Sequence, residues 1–158
     1  MAHKSRVKKI ALGADHRGYR LKEKIKKYLI KNGYKVIDFG TDSEDPKDYP
    51  DFAIPVAEAV AKRKIDVGIL ICYTGIGMSI AANKVKGVRA ALGFSPTIAG
   101  LARKHNNANI LCLGSMYTSY QKAKKIIDVW LSTDFEGNRH KRRVKKIKKY
   151  ENSTISSR

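Results

Sequence analysis

The chain alternates short apolar runs with amphipathic segments, and this alternation constrains its fold more than any other feature. Ile65–Cys72 (IDVGILIC) is apolar almost throughout, as expected of a central parallel strand that is buried on both faces. Arg17–Asn32 repeats apolar residues at helical spacing and is followed by Gly33, a residue that commonly ends helices. Five such strand-like runs, separated by helix-like segments, predict an α/β fold: a Rossmann-like three-layer sandwich around a five-stranded parallel sheet.

The predicted elements follow one another in a regular order. Strands are predicted at Val7–Gly13, Tyr34–Gly40, Ile65–Cys72, Gly87–Gly93 and Asn109–Gly114. Helices are predicted at Arg17–Asn32, Phe52–Arg63, Met78–Lys84, Ser95–Asn106 and Ser119–Leu131, followed by a detached C-terminal helix at Arg139–Tyr150. We expect a single domain over residues 1–151 and a disordered tail over residues 152–158.

Length and composition fit one globular domain. The chain has 158 residues, of which 42% are hydrophobic, enough for a substantial core. No stretch approaches the roughly 18 unbroken apolar residues of a membrane span. The basic N-terminus leads into no signal-like apolar region. We therefore expect a cytoplasmic protein that has no membrane partner.

The cysteines and histidines predict neither a disulfide framework nor a zinc site. Cys72 and Cys112 each lie in or at the end of an apolar run, in a chain without an export signal. There is no C-x-x-C pair, and the four histidines are scattered along the chain.

The formal net charge of +19 is extreme and is densest in Arg139–Glu151. Such a charge is compatible with a nucleic-acid partner or with an anionic substrate. Val144, Ile147 and Tyr150 recur at helical spacing within this segment. That spacing favours an amphipathic helix whose charged face is simply solvated.

Three segments carry candidate functional residues. GADHRG follows the first strand with Asp15 and His16, and CYTGIG follows the third with Cys72. Parallel sheets hold ligands at the carboxyl ends of their strands. His105 and Asn106 end a predicted helix, and we expect them at the same end of the sheet. Each segment alone has an ordinary alternative: a capping aspartate beside a surface histidine, a buried cysteine, or a helix C-terminus.

The CYTGIG turn lacks residues that four known kinds of functional site require. A P-loop needs lysine where Met78 stands, and a cysteine phosphatase needs arginine at the same position. A dinucleotide fingerprint needs a third glycine, and a thiol redox motif needs a second cysteine at Gly75. What remains is an anion-binding turn beside a thiol, with backbone N–H groups at Gly75, Ile76 and Gly77. Such a turn suits proton abstraction next to a carbonyl, although from the turn alone a packing role for Cys72 is equally compatible.

Several longer motifs follow one another along the chain: GADHRG, VIDFGT, DYPDFA, GILIC-TGIGMSIAANK, GVRAAL, HNNANI and FEGNRHKRRV. In this order they resemble the type B ribose-5-phosphate isomerases, a family that includes galactose- and allose-6-phosphate isomerases. The resemblance runs from about Val7 to Tyr150.

The resemblance implies a role for each matching residue. Cys72 is the base that moves a proton between C2 and C1 of the open-chain sugar, and Thr74 assists proton transfer between the two oxygens. The amides from Tyr73 to Gly77, including Gly75 and Ile76, hold the enediolate. Asp15 and His105 assist ring opening, and Asn106 contacts the sugar. Tyr49 lines the pocket, and the phosphate is held by His16, Arg139 and Arg143.

The resemblance also implies a dimer or tetramer, with His105 and Asn106 entering the site of the neighbouring subunit and no metal or cofactor. Two residues depart from the family pattern. Tyr73 stands where the residue after the base is usually glycine. Met116 stands where a phosphate-binding arginine is common.

These observations predict an aldose–ketose isomerase that interconverts ribose 5-phosphate and ribulose 5-phosphate, a step of the pentose phosphate pathway. The near alternative is an isomerase of a six-carbon phosphosugar on the same scaffold. The alternative from another class is a basic nucleic-acid-binding protein, which the net charge alone suggests.

Overall fold

The computed structural model describes residues 7–153. Its five strands are β1 (Lys9–Ala14), β2 (Lys35–Asp38), β3 (Val67–Cys72), β4 (Ala90–Leu92) and β5 (Ile110–Gly114). Its helices are α1 (Tyr19–Lys31), α2 (Pro50–Ala61), α3 (Ile76–Ala82), α4 (Pro96–Asn106), α5 (Tyr120–Ser132) and α6 (Asn138–Ser153).

The strands form one parallel sheet in the order β2-β1-β3-β5-β4. All six residues of β3 are buried, because helices cover both faces of this central strand. One face packs against α1, α4 and α5 through residues such as Ile25, Ala99 and Ile126. The other face packs against α2 and α3 through residues such as Val56 and Met78. The predicted fold class is confirmed.

The last helix stands apart from these layers. α6 contacts α4, and within α6 only His140 and Val144 are buried. The predicted apolar face is therefore only partly covered, with Ile147 and Tyr150 exposed at 47% and 71%. α6 continues to Ser153, two residues past the predicted boundary at 151, and residues 154–158 lie outside the described part of the chain.

The chain's only tryptophan lies in the core on the α5 side of the sheet. Trp130 is fully buried, and its indole Nε1 has no hydrogen-bond partner among residues 7–153. The Arg103 guanidinium carbon, from α4, lies over the Trp130 ring in a cation–π contact, 5.4 Å from the ring centroid. This contact ties α4 to α5.

Among residues 7–153, no helix is both long enough and apolar enough to cross a membrane.

Candidate active site

Cys72 and Asp15 come together at the carboxyl end of the sheet. β1 and β3 are neighbours in parallel register, and the Asp15 N–H donates to the Ile71 carbonyl at 3.3 Å. Both Asp15 and Cys72 are buried, at 5% exposure each. One Asp15 carboxylate oxygen accepts from the N–H groups of Arg17 and Gly18 at 3.0 and 3.1 Å. These bonds fix the orientation of the Asp15 carboxylate beside β3, the strand that ends at Cys72.

The turn after Cys72 wraps back onto its sulfur. The Gly75 N–H donates to Cys72 Sγ at 3.1 Å, so a backbone donor holds the sulfur in place. Gly75 has φ +77°, in the left-handed region. A Cβ there would lie 2.6 Å from Leu92 and 3.0 Å from the Leu113 backbone, so both conformation and space require glycine. The sequence prediction of a glycine-dependent turn is met at this position.

Thr74 follows within the same turn and is held from two sides. Its Oγ1 accepts from the Ile76 N–H at 3.2 Å, and its carbonyl accepts from the Tyr117 hydroxyl at 2.6 Å. Burial and the nearby Cys72 raise the pKa of Tyr117, which keeps the phenol protonated as a donor. Two amides that we expected to face the substrate, those of Gly75 and Ile76, are thus bonded to side chains of the turn itself.

Tyr49 and His16 complete this end of the sheet. The Tyr49 ring lies against Gly77, where an added Cβ would be 2.7 Å from the ring. The Lys47 N–H donates to His16 Nδ1 at 3.1 Å. Nδ1 also lies 3.2 Å from the Lys47 carbonyl oxygen, so the Lys47 backbone holds the ring through Nδ1 and leaves Nε2 for an anion.

The two cysteines occupy different environments. Cys112 lies wholly inside β5, and burial raises the pKa of its thiol. A thiol that stays protonated in the core is inert. Cys72 ends its strand beside the turn, where a backbone donor reaches the sulfur.

Within one chain, His105 and Asn106 do not lie with Asp15 and Cys72. The prediction that they lie at the carboxyl end of the sheet is therefore wrong. α4 follows β4 and returns antiparallel to the strands, so its C-terminus lies at the amino end of the sheet. The Arg89 Nε, just before β4, donates to the carbonyls of Asn106 and Asn107 at 3.0 and 3.1 Å. A strand of five or six residues, roughly 16–20 Å long, separates the two groups.

α6 adds charge at the amino end. His140 is buried and stacks on His105, with ring centroids 4.2 Å apart and planes 10° from parallel. Burial, then His105 and Arg139, lower the pKa of His140 and keep its ring neutral. Arg139 and Arg143 lie on exposed positions one helical turn apart, so both can meet one anion.

One group in the described residues could offer metal ligands. Ligand atoms of His105, Glu136 and His140 lie within 4.8 Å of one another. The two imidazole rings are nearly parallel, so their in-plane lone pairs cannot converge on one ion without a ring rotation. The arrangement is a ring stack rather than a preformed metal site.

A cavity of about 700 Å³ opens beside the same helix. Asn106, Arg89, Ile147, Tyr150 and Glu151 are among the residues that line it. Its lining is partly apolar, and it includes one predicted substrate-binding residue.

These motifs extend over most of the chain, and so does the match to known proteins. The family model for ribose/galactose isomerases matches residues 10–147. The chain belongs to this family.

Relatives within the family are similar along nearly their whole length. Ribose-5-phosphate isomerase B of Escherichia coli K12 is 49% identical over 141 residues, which cover 89% of this chain and 95% of the relative. The probable ribose-5-phosphate isomerase B of Mycoplasma genitalium is 48% identical over 147 residues, which cover 92% of this chain and 97% of the relative.

Solved structures of the family share the fold closely. Ribose-5-phosphate isomerase B of Clostridium thermocellum has a TM-score of 0.91 at 50% identity, covering 92% of this chain and 99% of that one. The Mycoplasma genitalium enzyme, solved with bound ribulose 5-phosphate, has a TM-score of 0.88 at 47% identity, covering 91% of this chain and 96% of that one.

Sequence reasoning about the family pattern missed two residues that shape the site. Tyr117 supports Thr74 from the segment after β5, and His140 stacks on His105 from α6. An aromatic residue just after the fifth strand was a usable signal for Tyr117. No local pattern distinguishes His140 from its basic neighbours, because its burial depends on how α6 packs against α4.

Proposed function

We propose that this member of the ribose/galactose isomerase family interconverts ribose 5-phosphate and ribulose 5-phosphate through an enediolate. The observation that carries the proposal is the Cys72 sulfur, held at the carboxyl end of the sheet by the Gly75 N–H at 3.1 Å. A positioned base next to hydrogen-bonding side chains is what proton transfer between adjacent carbons requires.

The Cys72 thiolate removes the proton from C2 of the open-chain aldose. The C2–H electron pair forms the C1–C2 double bond, and the π pair of the C1 carbonyl moves onto its oxygen, which gives the enediolate. The Thr74 hydroxyl helps to move a proton between the oxygens on C1 and C2. The Cys72 thiol then returns its proton to C1, which gives the ketose. The aldose and the ketose have the same overall oxidation state, so the reaction needs no oxidant or reductant.

Ring opening requires a proton transfer at the ring oxygen and the anomeric hydroxyl. Asp15 lies beside β3, the strand that ends at Cys72, and is positioned for one of these transfers. We assign the other to His105 and the sugar contact to Asn106, with both residues donated by a second copy of the chain. Tyr49 and the turn from Tyr73 through Gly77 line the pocket around the reacting carbons.

The protein is proposed to work as a homodimer, or as a homotetramer built from such dimers. Its support is the separation of the two groups of site residues, which a second copy would bring together. Large apolar side chains are exposed near both groups, as expected for a surface that another subunit covers: Ile76, Ile80, Phe94, Leu101, Ile147 and Tyr150.

The phosphate is assigned to His16 and to Arg139 and Arg143 of the second copy. The Lys47 backbone engages His16 through Nδ1 and leaves Nε2 for a phosphate oxygen, and the two arginines can each donate paired N–H groups to phosphate oxygens.

Arg139→Ala and Arg143→Ala are each expected to raise the Michaelis constant about ten- to a hundred-fold, because a hydrogen bond to a charged group contributes roughly 1.5–3 kcal/mol. Replacing Lys145, Lys146, Lys148 or Lys149, all exposed on α6, provides the matched control and is expected to have little effect. Steady-state kinetics on ribose 5-phosphate measures both sets. Equal effects would make α6 a diffuse source of positive potential and remove the two arginines from the site.

A side-by-side assay of ribose 5-phosphate and allose 6-phosphate tests the proposed function. The five-carbon sugar is expected to have the higher kcat/KM. A preference for the six-carbon substrate would reassign the enzyme within the family. If neither sugar is isomerised, the proposal fails.

We propose the cytoplasm as the setting, within the pentose phosphate pathway, and a single catalytic domain over residues 1–151. Two unpaired cysteines fit a reducing compartment. The basic surface does not require nucleic acid as a partner. RNA binding that collapses between about 50 and 200 mM salt would report only a non-specific phosphate effect.

A further inference from the structure

Arg17 presents a positive charge at the carboxyl end of the sheet. Its backbone is fixed, because its N–H donates to the Asp15 carboxylate and its carbonyl accepts from the Ser115 hydroxyl at 2.9 Å. Within residues 7–153, no carboxylate forms an ion pair or hydrogen bond with its guanidinium. Arg20, one turn further on, differs: its guanidinium is paired with Glu44 at 2.7 Å.

The Arg17 side chain is held by an aromatic ring instead. Its guanidinium carbon lies 5.0 Å from the centroid of the Tyr73 ring. A guanidinium stacked on an aromatic face keeps its N–H groups free at its rim, because the ring uses only the face of the cation. Tyr73 directly follows Cys72, so the held charge lies at the mouth of the proposed active site.

Three chain segments meet around this pair. The Met116 N–H donates to the Tyr73 carbonyl at 3.0 Å, and Ser115 bonds the Arg17 carbonyl. Met116 itself is 62% exposed and offers no charge. His16, the proposed phosphate donor at this end, immediately precedes Arg17 in the chain. This end of the sheet therefore carries an imidazole and a guanidinium at consecutive positions of the chain.

We propose that Arg17 is a phosphate ligand of the substrate, contributed by the same subunit as Cys72, and that Tyr73 is the residue that positions it. This inference rests on the proposed function, since the phosphate is that of the sugar whose C2 meets Cys72. It gives Tyr73 and Met116 a joint explanation: the Tyr73 ring orients a cation from the turn between β1 and α1, and the segment after β5 supplies no cation at Met116.

Arg17→Met tests the assignment, with Arg20→Met as the matched control that removes the same charge from a neighbouring exposed position. Arg17→Met is expected to raise the Michaelis constant for ribose 5-phosphate about ten- to a hundred-fold, with a much smaller change in kcat. Arg20→Met is expected to shift the Michaelis constant less than about three-fold, because its guanidinium is engaged with Glu44. Equal shifts in the two variants would overturn the assignment.

Two further variants separate a phosphate ligand from a structural residue. Met116→Arg places a guanidinium beside the same ring, so adding it to Arg17→Met is expected to recover at least part of the lost affinity. Tyr73→Leu is expected to raise the Michaelis constant more than Tyr73→Phe, since only phenylalanine preserves a ring face for Arg17. Failure of both comparisons would leave Tyr73 with no positioning role.

Inorganic phosphate gives a readout that does not depend on turnover. Calorimetric titration of the wild-type protein with phosphate is expected to show binding that weakens at least ten-fold in Arg17→Met and stays nearly unchanged in Arg20→Met. If the wild-type protein isomerises no sugar but the titration behaves in this way, the proposed function fails while the phosphate site stands. If phosphate binds both variants equally, or does not bind the wild-type protein, the Arg17 assignment is rejected.

Discussion

Cys72→Ala is expected to lower kcat on ribose 5-phosphate by about a hundred- to ten-thousand-fold, the usual contribution of a positioned general base. The substitution removes a single sulfur at the end of β3 and leaves the Gly75 N–H free to turn toward the pocket. The protein should therefore fold normally and still bind the substrate, because the proposed phosphate ligands lie on other segments. Single-turnover kinetics and substrate titration separate the two effects.

Cys112→Ala is the matched control, since it makes the same change one strand away. Cys112 is enclosed in β5, and we expect the variant to keep wild-type kcat at a modest cost in stability. A Cys72→Ala variant with near-wild-type turnover would show that Cys72 only packs, and the proton-transfer steps above would have to be reassigned.

Mixing two nearly inactive variants is expected to restore activity. In a hybrid dimer of Cys72→Ala and His105→Ala chains, one site receives both defects and the other receives neither. With random subunit exchange, half the dimers are hybrids and each has one intact site, so about a quarter of wild-type activity should return. The expected gain over either variant alone is therefore large.

The matched control mixes Cys72→Ala with Asp15→Asn. Both changes fall on residues that one chain places at the carboxyl end of the sheet, so every site in the mixture is impaired and no recovery is expected. Subunit exchange must be verified independently, for example with a mass-tagged chain. Absence of recovery in the first mixture after verified exchange would mean that one chain carries the complete site.

Most of the fold could be predicted from the chain's own pattern. Each predicted strand and helix overlaps an observed one, because apolar runs, glycine stops and the Ser95 cap are local signals. The Ser95 hydroxyl does accept from the Ile98 N–H at 3.2 Å. The strand order was not predicted, since it depends on long-range pairing that no local pattern encodes.

The candidate site was harder to predict, because the order of the strands and the direction of the helices decide which of its residues lie close together. Asp15 and Cys72 follow adjacent parallel strands, so the rule about carboxyl ends was sufficient to bring them together. His105 ends a helix rather than a strand, and the direction of α4 carries it to the opposite end of the sheet. Likewise, the engagement of the Gly75 and Ile76 amides by neighbouring side chains follows from the detailed geometry of the turn.

The buried position of Trp130 makes intrinsic tryptophan fluorescence a probe of unfolding in this protein. With one indole in the whole chain, sealed in the core between α5 and the sheet, intrinsic fluorescence has a single origin. Its emission should be that of an apolar environment and should shift to the red only when water reaches the core. Sugar phosphate added at the carboxyl end of the sheet should leave that emission almost unchanged, whereas denaturant should move it in one cooperative step. Unfolding can thus be followed at wavelengths that the active-site variants proposed above do not disturb.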